Sequence, residues 1–217
     1  MNGADAAEPR RRAVRARPFD PAQAARWPAV IGCDEVGRGA LCGPVVVAAA
    51  WFDPAAVSPA MLGGHDDSKK VTPRARDRLC AMIRAEARVA LAAAAAPAID
   101  RDGIRAATLD AMTRAVRRLG VAAPVRVDGR ETPPGLGPDA AALVRGETAV
   151  PQIAAASIVA KVARDRLMAR LAARHPAYAW AANVGYGTAA HLAALDAHGA
   201  TRHHRRSFAP VAAALNG

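Results

Sequence analysis

An apolar run that begins at Val30 leads into two adjacent carboxylates, Asp34 and Glu35, and then into the turn Gly37-Arg38-Gly39. Two carboxylates this close repel one another, and each raises the pKa of the other unless a cation lies between them. Mg²⁺ and Mn²⁺ prefer oxygen ligands and would relieve that repulsion. The glycines allow the main chain to approach a bulky ligand, and the arginine adds donors for a phosphodiester. The pattern therefore indicates a metal-dependent nuclease.

Two further acids stand in the same context along the chain. Asp128 follows the short predicted strand Val125 to Val127, and Glu147 follows a strand that ends at Leu143-Val144, each beside a glycine. Open α/β sheets place their sites at strand ends, so these carboxylates converge if the strands are neighbours. Four convergent acids suit two metal ions about 4 Å apart that promote in-line attack on a phosphodiester. Taken singly, each acid is more simply a turn residue or a helix cap, and the joint pattern carries the prediction.

The elements that must position these acids alternate between strands and helices. Strands are predicted at Ala29 to Ile31, Pro44 to Phe52, Val89 to Ala95 and Val125 to Val127, and a further strand is predicted to end at Leu143-Val144. Helices are predicted from Thr72-Pro73 to about Ala87, around Leu109 to Leu119 with a stop at Gly120, over about Gln152 to Arg174, and from about Thr188 to His198. After an initial hairpin-like pair, this order predicts an α/β fold with a mixed central sheet flanked by helices and a C-terminal helical portion.

Composition limits the class of protein. The 217 residues carry a formal net charge of +11, which favours a polyanionic partner, with a basic but non-binding surface as the alternative. Residues 1–27 are rich in Ala, Arg and Pro and are predicted to be a mobile basic extension, and residues 28–217 a single catalytic domain.

Cysteine usage and the absence of long apolar runs bear on location. Cys33, Cys42 and Cys80 are odd in number and lack metal-binding spacing, which indicates a reducing compartment and no structural zinc. No segment reads as a membrane span or a signal peptide, so a cytoplasmic protein is expected. A monomer is the default expectation for its assembly.

Six segments of the chain match a known family in its order and at about its intervals. They are D-E-V-G-R-G at Asp34 to Gly39, D-S-K-K at Asp67 to Lys70, V-D-G at Val127 to Gly129, A-A-A-S-I-V-A-K-V-A-R-D at Ala154 to Asp165, G-Y-G-T at Gly185 to Thr188, and H-R-R-S-F at His204 to Phe208. Over roughly Val30 to Phe208 the chain resembles the bacterial type 2 ribonucleases H, the ribonuclease HII family. The resemblance implies a ribonuclease H-like fold and Mn²⁺- or Mg²⁺-dependent endonucleolytic cleavage of the RNA strand of RNA–DNA hybrids. It also implies cutting 5′ of single ribonucleotides embedded in duplex DNA.

The resemblance also assigns roles to particular residues. It implies that Asp34, Glu35 and Asp128 are metal ligands, with Glu147 at the position of the fourth catalytic acid. It implies that the turn formed by Gly37, Arg38 and Gly39 contacts the 2′-hydroxyl side of the RNA–DNA junction. It implies that Tyr186 packs on the ribose there.

Several of these residues have a simpler interpretation as well. Without its neighbours, Tyr186 would be an ordinary half-buried aromatic. Ser157, Lys161 and Asp165 are spaced i, i+4, i+8, so Lys161 either meets a phosphate or a site carboxylate, or lies on a solvated helix face. Lys69 is either a solvated loop residue or part of a clamp on the duplex backbone.

Three histidines near the C-terminal end raise the alternative of a metal site. His198, His203 and His204 lie close to arginines that would repel a cation. They are therefore predicted to contact phosphate or to lie on the plain surface.

The chain departs from the family at two positions near the site. The usual Lys-Gly-Asp reads Arg145-Gly146-Glu147, and Arg130 stands where asparagine is common. A cation at position 130 would lower the pKa of Asp128 if it lay close. These changes motivate one rival hypothesis, a catalytically weakened protein that binds RNA–DNA hybrids. A second rival is a two-metal nuclease of the same fold that acts on DNA junctions.

Overall fold

The computed structural model describes residues 14–15, 28–63 and 72–216. Its central feature is a six-stranded sheet. The strands are Val14–Arg15 (β1), Ile31–Val36 (β2), Val45–Trp51 (β3), Arg88–Ala94 (β4), Val125–Asp128 (β5) and Ala141–Val144 (β6). Their order across the sheet is β1-β6-β5-β2-β3-β4.

Strand directions decide where the acids meet. β2 runs antiparallel to β3 and parallel to β5, and β5 runs parallel to β6. The carboxyl ends of β2, β5 and β6 therefore lie at one edge of the sheet. The predicted mixed sheet, which opens with an antiparallel pair, is confirmed.

Eight α-helices accompany the sheet in the described part of the chain. They are Pro59–Gly63 (α1), Pro73–Glu86 (α2), Ala96–Asp102 (α3), Ile104–Leu119 (α4), Pro151–Arg174 (α5), Trp180–Asn183 (α6), Ala189–His198 (α7) and Ala209–Asn216 (α8). Two short 3₁₀ turns, Gly146–Thr148 and Pro176–Tyr178, complete the elements. The last three helices form the predicted C-terminal helical portion.

Local signals in the sequence explain where helices begin and end. The Thr72 hydroxyl accepts a hydrogen bond from the Ala75 N–H at 3.3 Å, and Pro73 occupies the first helical position of α2. Helix α4 ends at Gly120, which adopts the left-handed conformation with φ 65°. Both predicted boundaries are confirmed.

The first strand was predicted wrongly. The expected strand stopped at Ile31, with the acids following it, whereas β2 runs from Ile31 to Val36. Asp34 pairs with Ala48 and Glu35 with Val47 on β3, so the two acids lie within the strand. Main-chain pairing with β3 continues through the polar residues because the strand end is set by the partner strand as well as by local polarity.

Helices cover both faces of the sheet. On one face α5 and α2 pack against β3 through a cluster that includes Ala48, Ala50 and Val159. On the other face α4 packs through Met112 and Val116. The alanine side chains of β3 are small, so α5 reaches van der Waals contact with the strand at a short distance between the two backbones. This approach fixes the position of α5 next to the acids of β2.

The N-terminal part of the chain adds one feature to this core. Val14 and Arg15 pair in parallel with Leu143 and Val144 of β6. The rest of the basic extension lies outside the described residues, so its boundary at residue 27 stays a prediction. No helix in the described ranges combines the length and the apolar character needed to cross a membrane.

Candidate active site

Asp34 lies deep in the site, on the face of β2 that α5 covers. It is 6% exposed, and its carboxylate contacts the Ser157 side chain of α5. The Glu35 main-chain N–H donates to Asp34 Oδ1 at 2.7 Å. Burial raises the pKa of Asp34 well above its usual value, and the charges of Glu35 and Asp128 raise it further, while the Ser157 hydrogen bond acts in the opposite direction. A cation beside this carboxyl would therefore stabilise its charged form against burial and against the neighbouring carboxylates.

Glu35 is the second acid of β2 and lies at the rim of the site. Burial raises its pKa, and the nearby Arg38 guanidinium opposes that rise. Arg38 Nη1 donates to Glu35 Oε1 at 3.3 Å. The other carboxylate oxygen, Oε2, is buried and has no hydrogen-bond partner among the described residues. A buried oxygen in this condition is costly, and a bound cation would satisfy it.

Asp128 ends β5, the strand beside β2. The Gly146 N–H donates to Asp128 Oδ1 at 2.8 Å, and the side chain of Asp128 is hydrogen-bonded to Glu147. Burial, followed by the Glu147 charge, raises the pKa of Asp128 to about 6. Arg130 is exposed, and the pKa of Asp128 is raised rather than lowered. The lowering of the Asp128 pKa that was expected from a cation at position 130 is therefore not found.

Glu147 lies in the 3₁₀ turn that follows β6. Arg145 precedes this turn in the left-handed conformation, with φ 58°. The turn directs Glu147 toward Asp128 at the shared edge of the sheet. The structure thus brings all four predicted acids together.

These donors fit a hard divalent cation. All four acids offer carboxylate oxygens, the ligand type that Mg²⁺ and Mn²⁺ prefer, and one of these oxygens is the unsatisfied Glu35 Oε2. Within residues 28–63 and 72–216, no three His, Cys, Asp or Glu side chains stand at the spacing of a complete ligand set.

The turn predicted to read the substrate lies directly beside the acids. Gly37 adopts φ 88°, a conformation that glycine tolerates, and Arg38 and Gly39 are exposed. A Cβ built on Gly39 would be 3.9 Å from Cε1 of Tyr186, so the turn and the tyrosine ring are neighbours. Tyr186 is 37% exposed, which leaves part of its ring free to pack against a ligand.

Of the two lysines predicted to bind substrate, the structure describes only Lys161. Lys161 Nζ donates to Asp165 Oδ1 at 2.8 Å, one turn along α5, and about a third of each side chain is exposed. Lys161 thus occupies the face that also carries Ser157, at the edge of the site. Lys69 lies outside the described residues, so its role stays a prediction.

The prediction that His204 contacts phosphate or lies on the plain surface is wrong. His204 is 1% exposed, and its Nε2 lies 3.1 Å from Nε2 of His191. The Thr201 N–H donates to His204 Nδ1 at 2.9 Å. His191 Nδ1 in turn lies 2.9 Å from the carbonyl oxygen of Tyr186. His191, which is itself bonded to His204, therefore anchors the main chain of Tyr186. Burial lowers the pKa of His204 to about 4, so this imidazole is neutral near pH 7.

Ser157 is a site residue that was not predicted as one. Its spacing with Lys161 and Asp165 placed it on the right helix face, but the contact with Asp34 depends on how α5 crosses β2. Two buried arginines, Arg164 and Arg205, also escaped prediction, because arginines in a basic chain are ordinarily surface residues.

Replacing Glu147 by Asp tests the fourth acid. The shorter side chain reaches the Asp128 carboxylate from a different position, so we expect the ratio of cleavage rates in Mn²⁺ and Mg²⁺ to change by about tenfold. The measurement is single-turnover cleavage in each ion. Glu86→Asp is the control, since Glu86 is exposed and accepts hydrogen bonds from Ser58 instead. An unchanged rate in both ions would show that Glu147 does not act at the metal site.

Comparison with known proteins identifies the family and the fold of the chain. The family model for ribonuclease HII matches residues 31–211. A ribonuclease HII from Xanthobacter autotrophicus is 54% identical over 183 residues, which are 84% of this chain and 72% of that protein. The crystal structure of ribonuclease H2 from Pyrococcus horikoshii has a TM-score of 0.70 at 20% identity, over 87% of this chain and 98% of that one. The crystal structure of Bst-RNase HIII in complex with Mn²⁺ has a TM-score of 0.64 at 23% identity, over 91% of this chain and 73% of that one. The two solved structures show the shared ribonuclease H fold, and the sequence matches show that the chain belongs to the ribonuclease HII family and is an endoribonuclease.

Proposed function

We propose that this endonuclease hydrolyses the RNA strand of RNA–DNA hybrids and cuts 5′ of single ribonucleotides embedded in duplex DNA. The products would carry a 3′-hydroxyl and a 5′-phosphate. The observation that carries the proposal is the contact between two parts of the site. Arg38 of the Gly37-Arg38-Gly39 turn bonds Glu35 on one side, and the same turn lies against Tyr186 on the other. Groups suited to a metal and groups suited to a ribose are thus adjacent.

Divalent metal is part of this proposal. Asp34, Glu35 and Asp128 would hold Mg²⁺ or Mn²⁺, with Glu147 assisting. When bound there, the cation supplies Lewis-acid activation of the scissile phosphodiester and of the attacking water. That a related ribonuclease HIII was crystallised with Mn²⁺ supports a metal of this class.

The protein's own groups orient the acids before substrate arrives. Ser157 holds Asp34 from α5, and the Gly146 N–H holds Asp128. Such preorganisation lowers the cost of assembling the charged site at the moment of reaction. Because each orienting group comes from an element other than the strand of its acid, the site is fixed by the packing of α5 and of the turn after β6.

Recognition of the ribonucleotide falls to the turn and the tyrosine. The 2′-hydroxyl distinguishes RNA from DNA, and exposed main-chain donors at Arg38 and Gly39 can bond it. Tyr186 offers a flat apolar face to the sugar. Lys161, and Lys69 beyond the described residues, would contact phosphates of the duplex. We propose that the protein works as a monomer in the cytoplasm.

The test uses a labelled DNA duplex that carries one ribonucleotide, beside an all-DNA duplex of the same sequence. The expected result with Mg²⁺ or Mn²⁺ is a nick 5′ of the ribonucleotide, no nick in the all-DNA duplex, and loss of cleavage on adding a chelator. Tight binding without a nick in either ion would favour the hybrid-binding alternative. Cleavage of branched DNA that needs no 2′-hydroxyl would favour the junction nuclease.

Affinity for the duplex should depend strongly on salt. Cationic side chains that meet phosphates release counterions, so we expect the affinity to fall by about 10²-fold or more between 50 mM and 200 mM salt. Fluorescence anisotropy in the presence of a chelator measures this without cleavage. Lys161→Gln should reduce the slope of log affinity against log salt by about 1. An unchanged slope would show that Lys161 serves only its bond to Asp165.

A further inference from the structure

Two fully buried arginines lie beneath the turn that faces the substrate. Arg164 comes from α5, Arg205 comes from the segment between α7 and α8, and both are 0% exposed. Burial lowers the pKa of both groups. The pKa of Arg205 falls to about 10, so this guanidinium remains charged near pH 7. A buried guanidinium is expensive unless its donors are all engaged. Each guanidinium must therefore find acceptors inside the protein.

Arg205 bonds main-chain carbonyls of the turn. Its Nη2 donates to the Gly37 oxygen at 2.7 Å, its Nη1 to the Arg38 oxygen at 2.7 Å, and its Nε to the Gly43 oxygen at 3.0 Å. The planar guanidinium presents donors in a fixed fork, so it holds the Gly37 and Arg38 carbonyls in one orientation.

Arg164 links the same loop to the segment that carries Tyr186. It donates to the Cys42 and Pro44 oxygens at 3.1 and 3.0 Å, and to the Val184 oxygen at 2.8 Å. A Cβ on Gly37 would lie 2.1 Å from Arg164 Nε, so this side chain packs directly under the turn. The Leu41 N–H also donates to the Gly185 oxygen at 2.8 Å. The turn and the Tyr186 segment are thus tied into one unit.

The orientation of the carbonyls fixes that of the amides. In a trans peptide the C=O of one residue and the N–H of the next point in opposite directions. The Gly37 and Arg38 carbonyls point inward to Arg205, so the N–H groups of Arg38 and Gly39 point outward. Both residues are exposed. Two donors are therefore presented on the side of the turn opposite to Arg205, and the ring of Tyr186 is a neighbour of the turn at Gly39.

We propose that Arg205, supported by Arg164, is a positioning residue for ribonucleotide recognition. It turns the amides of Arg38 and Gly39 outward so that they can donate hydrogen bonds to the 2′-hydroxyl. This inference rests on the proposed function, because it concerns how the same site distinguishes RNA from DNA.

The first experiment compares binding of two duplexes that differ by one 2′-hydroxyl, in a chelator so that no cleavage occurs. We expect the wild-type protein to prefer the ribonucleotide duplex by about tenfold, the effect of one or two well-made hydrogen bonds. Arg205→Lys keeps the charge and loses the fork, so its preference should fall close to 1 while its affinity for the all-DNA duplex stays within about twofold. A loss of folded protein would instead reduce both affinities together.

Arg206→Lys is the matched control for this variant. Arg206 is the next residue and is exposed, so its replacement should keep the tenfold preference. A wild-type protein without any preference would contradict the proposed reading of the 2′-hydroxyl itself. A preference that survives Arg205→Lys would overturn the role of Arg205 and leave the proposed function intact.

A second measurement needs no variant, in case Arg205→Lys does not fold. Hydrogen exchange of the wild-type amides at Arg38 and Gly39 should be fast in the free protein. It should slow at least about tenfold with the ribonucleotide duplex and not with the all-DNA duplex. Equal protection by the two duplexes, or slow exchange in the free protein, would overturn the inference.

Discussion

Asp34→Asn is expected to reduce cleavage of a ribonucleotide-containing duplex by about 10³-fold or more. Asp34 is buried between Ser157, Glu35 and Asp128, and amide for carboxylate removes the negative charge that would hold the cation. A bound metal contributes several kcal/mol of transition-state stabilisation, and about 4 kcal/mol corresponds to this factor. Single-turnover cleavage under saturating Mn²⁺ or Mg²⁺ measures the loss.

The affinity of this variant for the duplex should remain within about twofold of the wild-type value. The charge that is removed lies at the metal, whereas the duplex is held mainly through its phosphates. Asp196→Asn, at an exposed position on α7, serves as the control and should cleave normally. Wild-type cleavage by Asp34→Asn would show that the site has been assigned to the wrong residues.

Gly32→Ala is expected to lower the free energy of unfolding by about 4 kcal/mol or more. A Cβ at this position would lie 2.1 Å from the main-chain carbon of Gln152 and 2.2 Å from the nitrogen of Ile153. These are backbone atoms of α5, so no side-chain rotation can relieve the collision, and the helix would have to move off β2. Urea denaturation followed by circular dichroism measures the change.

Gly63→Ala is the matched control for this substitution. Nothing among the described residues lies within 4 Å of a Cβ built there, and Gly63 ends helix α1. We expect this substitution to raise the free energy of unfolding by no more than about 1 kcal/mol. If Gly32→Ala unfolded at the same urea concentration as Gly63→Ala, the close approach of α5 to β2 would be wrong.

Gly32 affects the geometry of the site as well as the stability of the fold. Asp34 is two residues further along the same face of β2, where Ser157 of α5 bonds it. Because the missing side chain at Gly32 sets how near α5 comes, the same contact sets the distance at which Ser157 meets the acid. Structure and chemistry are coupled through one glycine.

Much of the fold follows from local patterns in the sequence. Thr72-Pro73 predicted the start of α2, and Gly120 predicted the end of α4, because caps and stops act through bonds within a few residues. The alternation of predicted strands and helices after an initial hairpin-like pair predicted the mixed sheet. The end of β2 was predicted wrongly, because it depends on pairing with β3, a partner whose register lies outside any local window.

The residue types of the site were also present in the sequence. The ends of predicted strands indicate Asp34, Glu35, Asp128 and Glu147, and their convergence requires only that β2, β5 and β6 be neighbours. What those positions could not give was the degree of burial. The raised pKa values of three of these acids arise from the packing of α5 and of the turn after β6 around them.

The tertiary structure alone decided the supporting contacts. Arg205 bonds Gly37 across 168 positions of the chain, and Arg164 bonds Cys42 across 122. His204 is buried against His191, although its neighbours in sequence are basic. A local stretch of sequence shows the type of each residue and the periodicity of each element. These two kinds of information were enough to predict the four acids, the turn and the family. Burial and long-range hydrogen bonds depend on which distant segments meet, and only the folded chain brings the guanidinium of Arg205 beneath the turn that it orders.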